Sequence, residues 1–222
     1  MKLNSIKSKI PEKQYSVLEK TGIKELRPAQ QKAIKAGLLE NKNLLICTPT
    51  ASGKTLIAEL ASIKSIIEKH GKTIYIVPLK ALASEKYKEF KEKYRDIAKV
   101  ALSIGELDSA DPYLEKYDII ITTSEKLDSL LRHHAPWISK VSTIIIDEIH
   151  LLNDPGRGPT LEIILTILKS MLKKAQFIGL SATIGNPEEL ASWLEAELVI
   201  DDWRPVKLKK GIYLDGEIEF YE

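Results

Sequence analysis

The sequence predicts an α/β protein: one doubly wound, mostly parallel sheet with helices on both faces. Three observations point to it. Short apolar runs rich in β-branched residues recur without polar alternation, as strands buried on both faces require. These runs are Leu44-Leu45-Ile46-Cys47, Ile74-Tyr75-Ile76-Val77, Ile119-Ile120-Ile121, Ile144-Ile145-Ile146 and Phe177-Ile178-Gly179-Leu180. Helix-patterned stretches separate them, which makes βαβ units and therefore parallel strands. Each run also leads directly into residues that do not belong in a core.

Taken in order, Pro11-Glu12-Lys13 opens a helix that Thr21-Gly22 closes with a left-handed cap. Arg27-Pro28-Ala29-Gln30 opens a second helix, expected to run to Leu39, and Asn41-Lys42-Asn43 turns the chain into the first strand. After Lys54-Thr55 a third helix is expected to reach His70, with Gly71 closing it. Val100-Ala101-Leu102-Ser103 and Leu198-Val199-Ile200 add two further strands. Residues 211–222 read as a short hairpin or edge strand turning at Leu214-Asp215-Gly216. The expected division is a helical lead-in (1–25), one sheet domain (26–205), and a hairpin or the start of an onward connection (206–222).

A chain of 222 residues buries one sizeable core. With 44% hydrophobic and 29% charged residues, the composition is that of an ordinary globular protein. No apolar run approaches a membrane span, and the lysine-rich start lacks the apolar centre of a signal peptide. Cys47 is the single cysteine, which excludes an intrachain disulfide and a cysteine-based metal site. A cytoplasmic location is expected. The net charge of +2 is too small by itself to indicate a nucleic-acid partner.

The chemistry starts at Thr48-Pro49-Thr50-Ala51-Ser52-Gly53-Lys54-Thr55, between a buried strand and a helix start. Successive unpaired N–H groups around Thr50, Ala51, Ser52 and Gly53 would form a concavity that favours an anion. Lys54 would reach the β- and γ-phosphates of ATP, and the Thr55 hydroxyl would ligate the Mg²⁺ that bridges them. Thr48 stands where the usual pattern opens with Gly. Gln30, shortly upstream, has an amide suited to the adenine edge.

In a parallel sheet all strand C-termini share one edge, where such folds bind ligands. Five groups therefore converge: the phosphate loop, Pro78-Leu79-Lys80, Thr122-Thr123-Ser124-Glu125, Asp147-Glu148-Ile149-His150 and Ser181-Ala182-Thr183. Asp147 is the expected second Mg²⁺ carboxylate. Glu148, alternating to the other side of its strand, is the expected base for the attacking water. His150 is expected to hydrogen-bond toward Ser181 and Thr183 and so to couple the nucleotide site to a second ligand.

Together RPAQQKAI, TPTASGKT, VPLKALASEKY, TTSEKLDSLLR, DEIH and GLSAT resemble the first motor domain of superfamily 2 DExH-box helicases. Residues 79–92, 147–154, 157–165 and 202–208 are more narrowly similar to the archaeal Hjm type, kin to eukaryotic HelQ in the Ski-like family. The resemblance spans residues 20–210. It implies a RecA-like P-loop domain and ATP-driven 3′-to-5′ unwinding, chiefly of forked and branched DNA in repair and restart. It also implies adenine reading by Gln30 beside Pro28, and contact with single-stranded DNA by Pro78, Leu79, Lys80 and Ala81 and by Thr123, Ser124, Glu125 and Lys126. A hydroxyl and free N–H groups at a helix start near Ser124 suit a phosphate.

A motor of this family clamps ATP between two such domains, and the second supplies arginines; neither those arginines nor winged-helix and ratchet domains are found here. The chain is expected to be an isolated first motor domain, monomeric, binding nucleotide weakly, hydrolysing ATP very slowly and not unwinding DNA alone. An RNA-acting Ski-like motor and a nucleic-acid-binding module without turnover stay open as alternatives, because backbone contacts barely separate DNA from RNA.

Overall fold

The computed structural model describes residues 1–105, 110–207 and 209–221. Its centre is a seven-stranded, wholly parallel sheet. The strands are β1 (Leu44–Cys47), β2 (Lys72–Val77), β3 (Val100–Ser103), β4 (Ile119–Thr123), β5 (Val141–Asp147), β6 (Gln176–Ser181) and β7 (Glu197–Ile200). Their order across the sheet is β3-β4-β2-β5-β6-β1-β7. Strand β1, which leads into the loop at 48–53, thus lies between β6 and β7, with β5 one strand further over.

Neighbouring side chains on each strand enter different cores, so both alternating sets are apolar. On β2, Tyr75 and Val77 join one core and Ile74 and Ile76 the other; on β1, Leu44 and Ile46 divide likewise from Leu45 and Cys47. The first core is covered by α1 (Glu12–Lys20), α2 (Pro28–Lys35), α3 (Lys54–Ile67) and α4 (Lys80–Lys93). The second is covered by α5 (Ser124–Arg132), α6 (Gly158–Met171) and α7 (Pro187–Leu194). This is the expected doubly wound arrangement. No described helix is long and apolar enough to cross a membrane.

The lead-in is a structural part of this body. Leu3, Ile6 and Ile10 are buried in the first core, and Leu3 N donates to Lys24 O at 2.9 Å while Leu26 N donates to Met1 O at 2.8 Å. Burying three such side chains is worth about 1.5–3 kcal/mol each.

Two helix ends differ from expectation. Helix α2 stops at Lys35, because Gly37 takes φ 106° and starts a separate 3₁₀ turn, Leu38–Glu40. A Cβ at Gly37 would also lie 2.5 Å from the Lys42 side chain. Helix α3 stops at Ile67, and the left-handed residue is Lys69 at φ 59°, with His70 N donating back to Ser65 O at 2.9 Å. That Schellman-type closure ends the helix before Gly71 is reached.

Strands β8 (Lys210–Leu214) and β9 (Glu217–Tyr221) form an antiparallel hairpin turning at Asp215 and Gly216, with every residue exposed. Two ends of the sequence patterns, Leu208 and Glu222, lie outside the described residues.

Candidate active site

The loop between β1 and α3 is shaped by two left-handed residues, Ala51 (φ 62°) and Gly53 (φ 93°). A Cβ on Gly53 would stand 2.4 Å from Gln30 Nε2, so at φ 93° any other residue would be strained and would push the Gln30 amide off the loop. Thr48, the departure from the usual pattern, is fully buried and its hydroxyl meets Ser52 Oγ at 2.7 Å, clasping the loop across its base. Ser52 is 1% exposed, so its side chain is structural, while Thr50 and Ala51 face solvent.

Protein groups hold the loop from outside: Arg27 Nη1 donates to Ala51 O at 2.6 Å, Gln30 Nε2 to Gly53 O at 3.0 Å and Lys54 Nζ to Thr48 O at 3.0 Å. The N–H groups of Ala51, Gly53, Lys54 and Thr55 have no hydrogen-bond partner among the described residues. They open the 14-residue helix α3, whose N-cap offers no side-chain acceptor. Free donors at the positive end of a long helix fit a phosphate group.

Gln30 differs from expectation. It is 3% exposed, and its Oε1 accepts from Arg27 N at 2.8 Å while Nε2 is used on Gly53 O. Both ends of the amide are therefore bonded to protein, closing the start of α2 against the phosphate loop, rather than presented to a base. Pro28 occupies the first turn of α2, where its missing N–H costs nothing.

Asp147 is the last residue of β5. Its Oδ2 accepts from Tyr75 OH at 3.0 Å and its Oδ1 from Glu148 N at 3.1 Å. Burial raises the Asp147 carboxyl above its ordinary value; the Tyr75 hydroxyl and the charges of Lys86 and Lys54 pull it back, and Glu148 pushes it up. Lys54 is held lower by burial, and its ammonium is supported by Glu148 and then Asp147, so the three charges share one site. The carboxylate and the Thr55 hydroxyl are hard oxygen donors of the kind Mg²⁺ takes beside phosphate oxygens.

Glu148 is not an alternating strand residue. It sits beyond β5 with φ 54° and ψ 45°, and this left-handed step turns the chain into the 3₁₀ turn Ile149–Asn153. The step carries His150 back toward Glu148, placing Nδ1 3.4 Å from Oε2: close enough to pair when the imidazole is protonated, though not aligned as a hydrogen bond. The expected hydrogen bonds from His150 to Ser181 and Thr183 are absent among the described residues. Ser181 is buried at the end of β6 with no hydrogen-bond partner for its hydroxyl, Ala182 is half-buried, and Thr183 is exposed.

The two patches expected to meet a nucleic-acid strand diverge. At the start of α4, Leu79, Lys80 and Ala81 are exposed, Pro78 is half-buried, and no side chain caps the helix. At the start of α5, Thr123, Ser124 and Lys126 are 4%, 5% and 3% exposed. Thr123 Oγ1 accepts from Lys126 N, and Lys126 Nζ pairs with Asp111 Oδ2 at 3.0 Å.

Four residues at this edge carried no assignment from sequence. Arg27 holds the loop, Tyr75 orients Asp147, Lys86 Nζ stands 3.4 Å from Thr55 Oγ1, and Arg157 lines a small cavity with Asp147, Glu148, Pro78 and Ser124. Tyr75 had a signal, being the only hydroxyl within an apolar run. The other three had none at their own positions.

The fold and the converging edge define the class. The chain matches the DEAD/DEAH box helicase family over residues 27–190, and it belongs to that family. Over 213 residues it is 56% identical to a protein of Pyrococcus abyssi called ATP-dependent DNA helicase Hel308, covering 96% of this chain and 29% of that protein. It is 59% identical over 216 residues to the Methanocaldococcus jannaschii protein of the same name, covering 94% of this chain and 18% of that one. The chain thus spans less than a third of either relative. Among solved structures, the DUF1998 helicase MrfA bound to DNA and AMPPNP superposes with a TM-score of 0.77 at 30% identity, over 87% of this chain and 29% of that one.

Proposed function

We propose that this chain is the ATP-binding first motor domain of a DNA helicase that moves 3′ to 5′ on forked and branched DNA, in the cytoplasm and as a monomer, during repair and restart. The observation that carries the reading is the meeting of open N–H groups at Ala51, Gly53, Lys54 and Thr55 with Lys54, Asp147 and Glu148 at a single sheet edge. The choice of DNA is supported by the names of the Hel308 relatives and by the DNA held by the MrfA neighbour.

In this reading the loop amides and Lys54 bind the β- and γ-phosphates of ATP. Thr55 and Asp147 hold Mg²⁺, which when bound supplies charge neutralisation at the phosphates. Tyr75 fixes the Asp147 carboxylate by its hydrogen bond. Glu148 takes the proton of the attacking water at its carboxylate, and His150 Nδ1 lies 3.4 Å from that carboxylate, close enough to hold its orientation. With Gln30 bonded to the loop, it senses nucleotide through Gly53, and reaching adenine requires it to leave that bond. A single DNA strand lies along the open start of α4 at Pro78–Ala81. Residues 26–205 form the motor domain with 1–25 packed on it, and 206–222 lead toward a second motor domain that supplies transition-state arginines.

The test is ATP hydrolysis with and without single-stranded DNA, for this chain and for a version joined to a second motor domain. The chain alone is expected to turn over very slowly. The joined form is expected to be DNA-stimulated and to lose about 10²–10⁴ in rate in Glu148→Gln. A joined Glu148→Gln form as fast as its parent would sink the mechanism.

A further inference from the structure

Helix α4 starts at the proposed strand contact and, less than two turns later, places Lys86 against the nucleotide site. The Lys86 side chain is 13% exposed, with its ammonium 3.4 Å from Thr55 Oγ1 and 2.8 Å from Glu89 Oε2. Asp147 feels the same ammonium as a favourable charge, behind the effects of burial and of Tyr75. One cation of the protein therefore touches Thr55 and acts electrostatically on Asp147, the two groups read above as the Mg²⁺ ligands. A lysine paired only with Glu89, three residues along the helix, would leave its ammonium in solvent. Here it is turned inward.

We infer that Lys86 is a built-in competitor of the divalent cation: its ammonium occupies the Thr55 hydroxyl and offsets the negative charge beside it until Mg²⁺ displaces it, and so sets the Mg²⁺ concentration at which nucleotide binds. The inference rests on the reading of Thr55 and Asp147 as Mg²⁺ ligands. Mg²⁺ lies about 2.0–2.1 Å from its oxygen ligands. An ion on Thr55 Oγ1 would then stand within about 5.5 Å of Lys86 Nζ, a like-charge approach in a half-buried setting. Glu89 offers the displaced ammonium a second anchor without movement of α4. A lysine that instead served the phosphates would act with the opposite sign, since its removal would raise the Mg²⁺ and nucleotide needed.

The experiment titrates a fluorescent N-methylanthraniloyl-ADP into the 222-residue chain at a series of Mg²⁺ concentrations and reads the Mg²⁺ midpoint for binding. Lys86→Met is expected to lower that midpoint about tenfold, the order that follows from removing one charge at this distance. Lys86→Arg, which keeps the charge, is expected to stay near the parent midpoint. Lys86→Gln is read in the same way as Lys86→Met if the latter melts below the assay temperature. A midpoint that is unmoved or raised in the neutral variants overturns the inference while leaving the nucleotide site in place. A parent chain that binds no nucleotide at any Mg²⁺ concentration overturns the proposed function and this inference with it.

Discussion

Helices α4 and α5 follow adjacent strands of one sheet, start at the same edge, and carry lysines in their first turns, yet the start of α4 is exposed and that of α5 buried. Each is anchored by one largely buried ion pair. In α5 the pair is at the start, Lys126 with Asp111 at 3.0 Å; in α4 it is at the far end, Lys93 with Glu59 at 2.6 Å, where Tyr94 OH also donates to Glu59 at 3.0 Å. The start of α5 is consequently closed and the start of α4 open. A shared sheet edge therefore does not give two helix starts the same exposure.

Three substitutions test that contrast. The largest expected effect is that of Lys126→Ala, which leaves Asp111 without its ammonium. Unfolding stability should fall by about 3 kcal/mol in a urea titration. If stability hardly moves and single-stranded DNA binding collapses instead, α5 is the strand contact and the contrast is wrong.

Lys93→Ala should cost less, because Lys93 is 20% exposed and partly screened, and its cost should depend on pH. Burial raises the Glu59 carboxyl above its ordinary 4.5, with Lys93 and then Tyr94 opposing the shift. A raised carboxyl holds its proton longer in the folded state, so its stabilising contribution is present at low pH and is lost as pH rises through the folded value. Removing Lys93 raises Glu59 further. The deficit should therefore grow from mild acid toward neutral pH in thermal melts, and a deficit independent of pH would show that Glu59 is not the group left unpaired.

The smallest effect on the fold is expected from Lys80→Ala, which should change stability by no more than about 0.5 kcal/mol. It should weaken single-stranded DNA binding severalfold and reduce the salt dependence by about one ion. Unaltered DNA binding across a salt series would remove α4 from the interface.

Much of this edge was legible in the residues. The β-branched runs mark the five inner strands because each is a local pattern of burial on both faces, and TPTASGKT marks a helix start with free amides because Gly53 permits the turn. Other parts were not. The Gln30 amide is bonded within the protein to Arg27 and Gly53, partners that no pattern at its own position encodes. Glu148 was placed by strand alternation, but the strand ends at Asp147 and the next residue is left-handed. That single backbone step brings His150 Nδ1 to 3.4 Å from Glu148.

By itself the sequence determined the sheet, the phosphate loop and the acidic pair after β5, since each is written in consecutive residues whose periodicity and chemistry act locally. Tertiary structure alone decided which charges were available. Lys126 is buried and paired with Asp111, Lys80 is exposed, and Lys86 faces Thr55 because the fold brings α4 beside the start of α3. Those outcomes depend on partners far along the chain, and no spacing within a single motif encodes them.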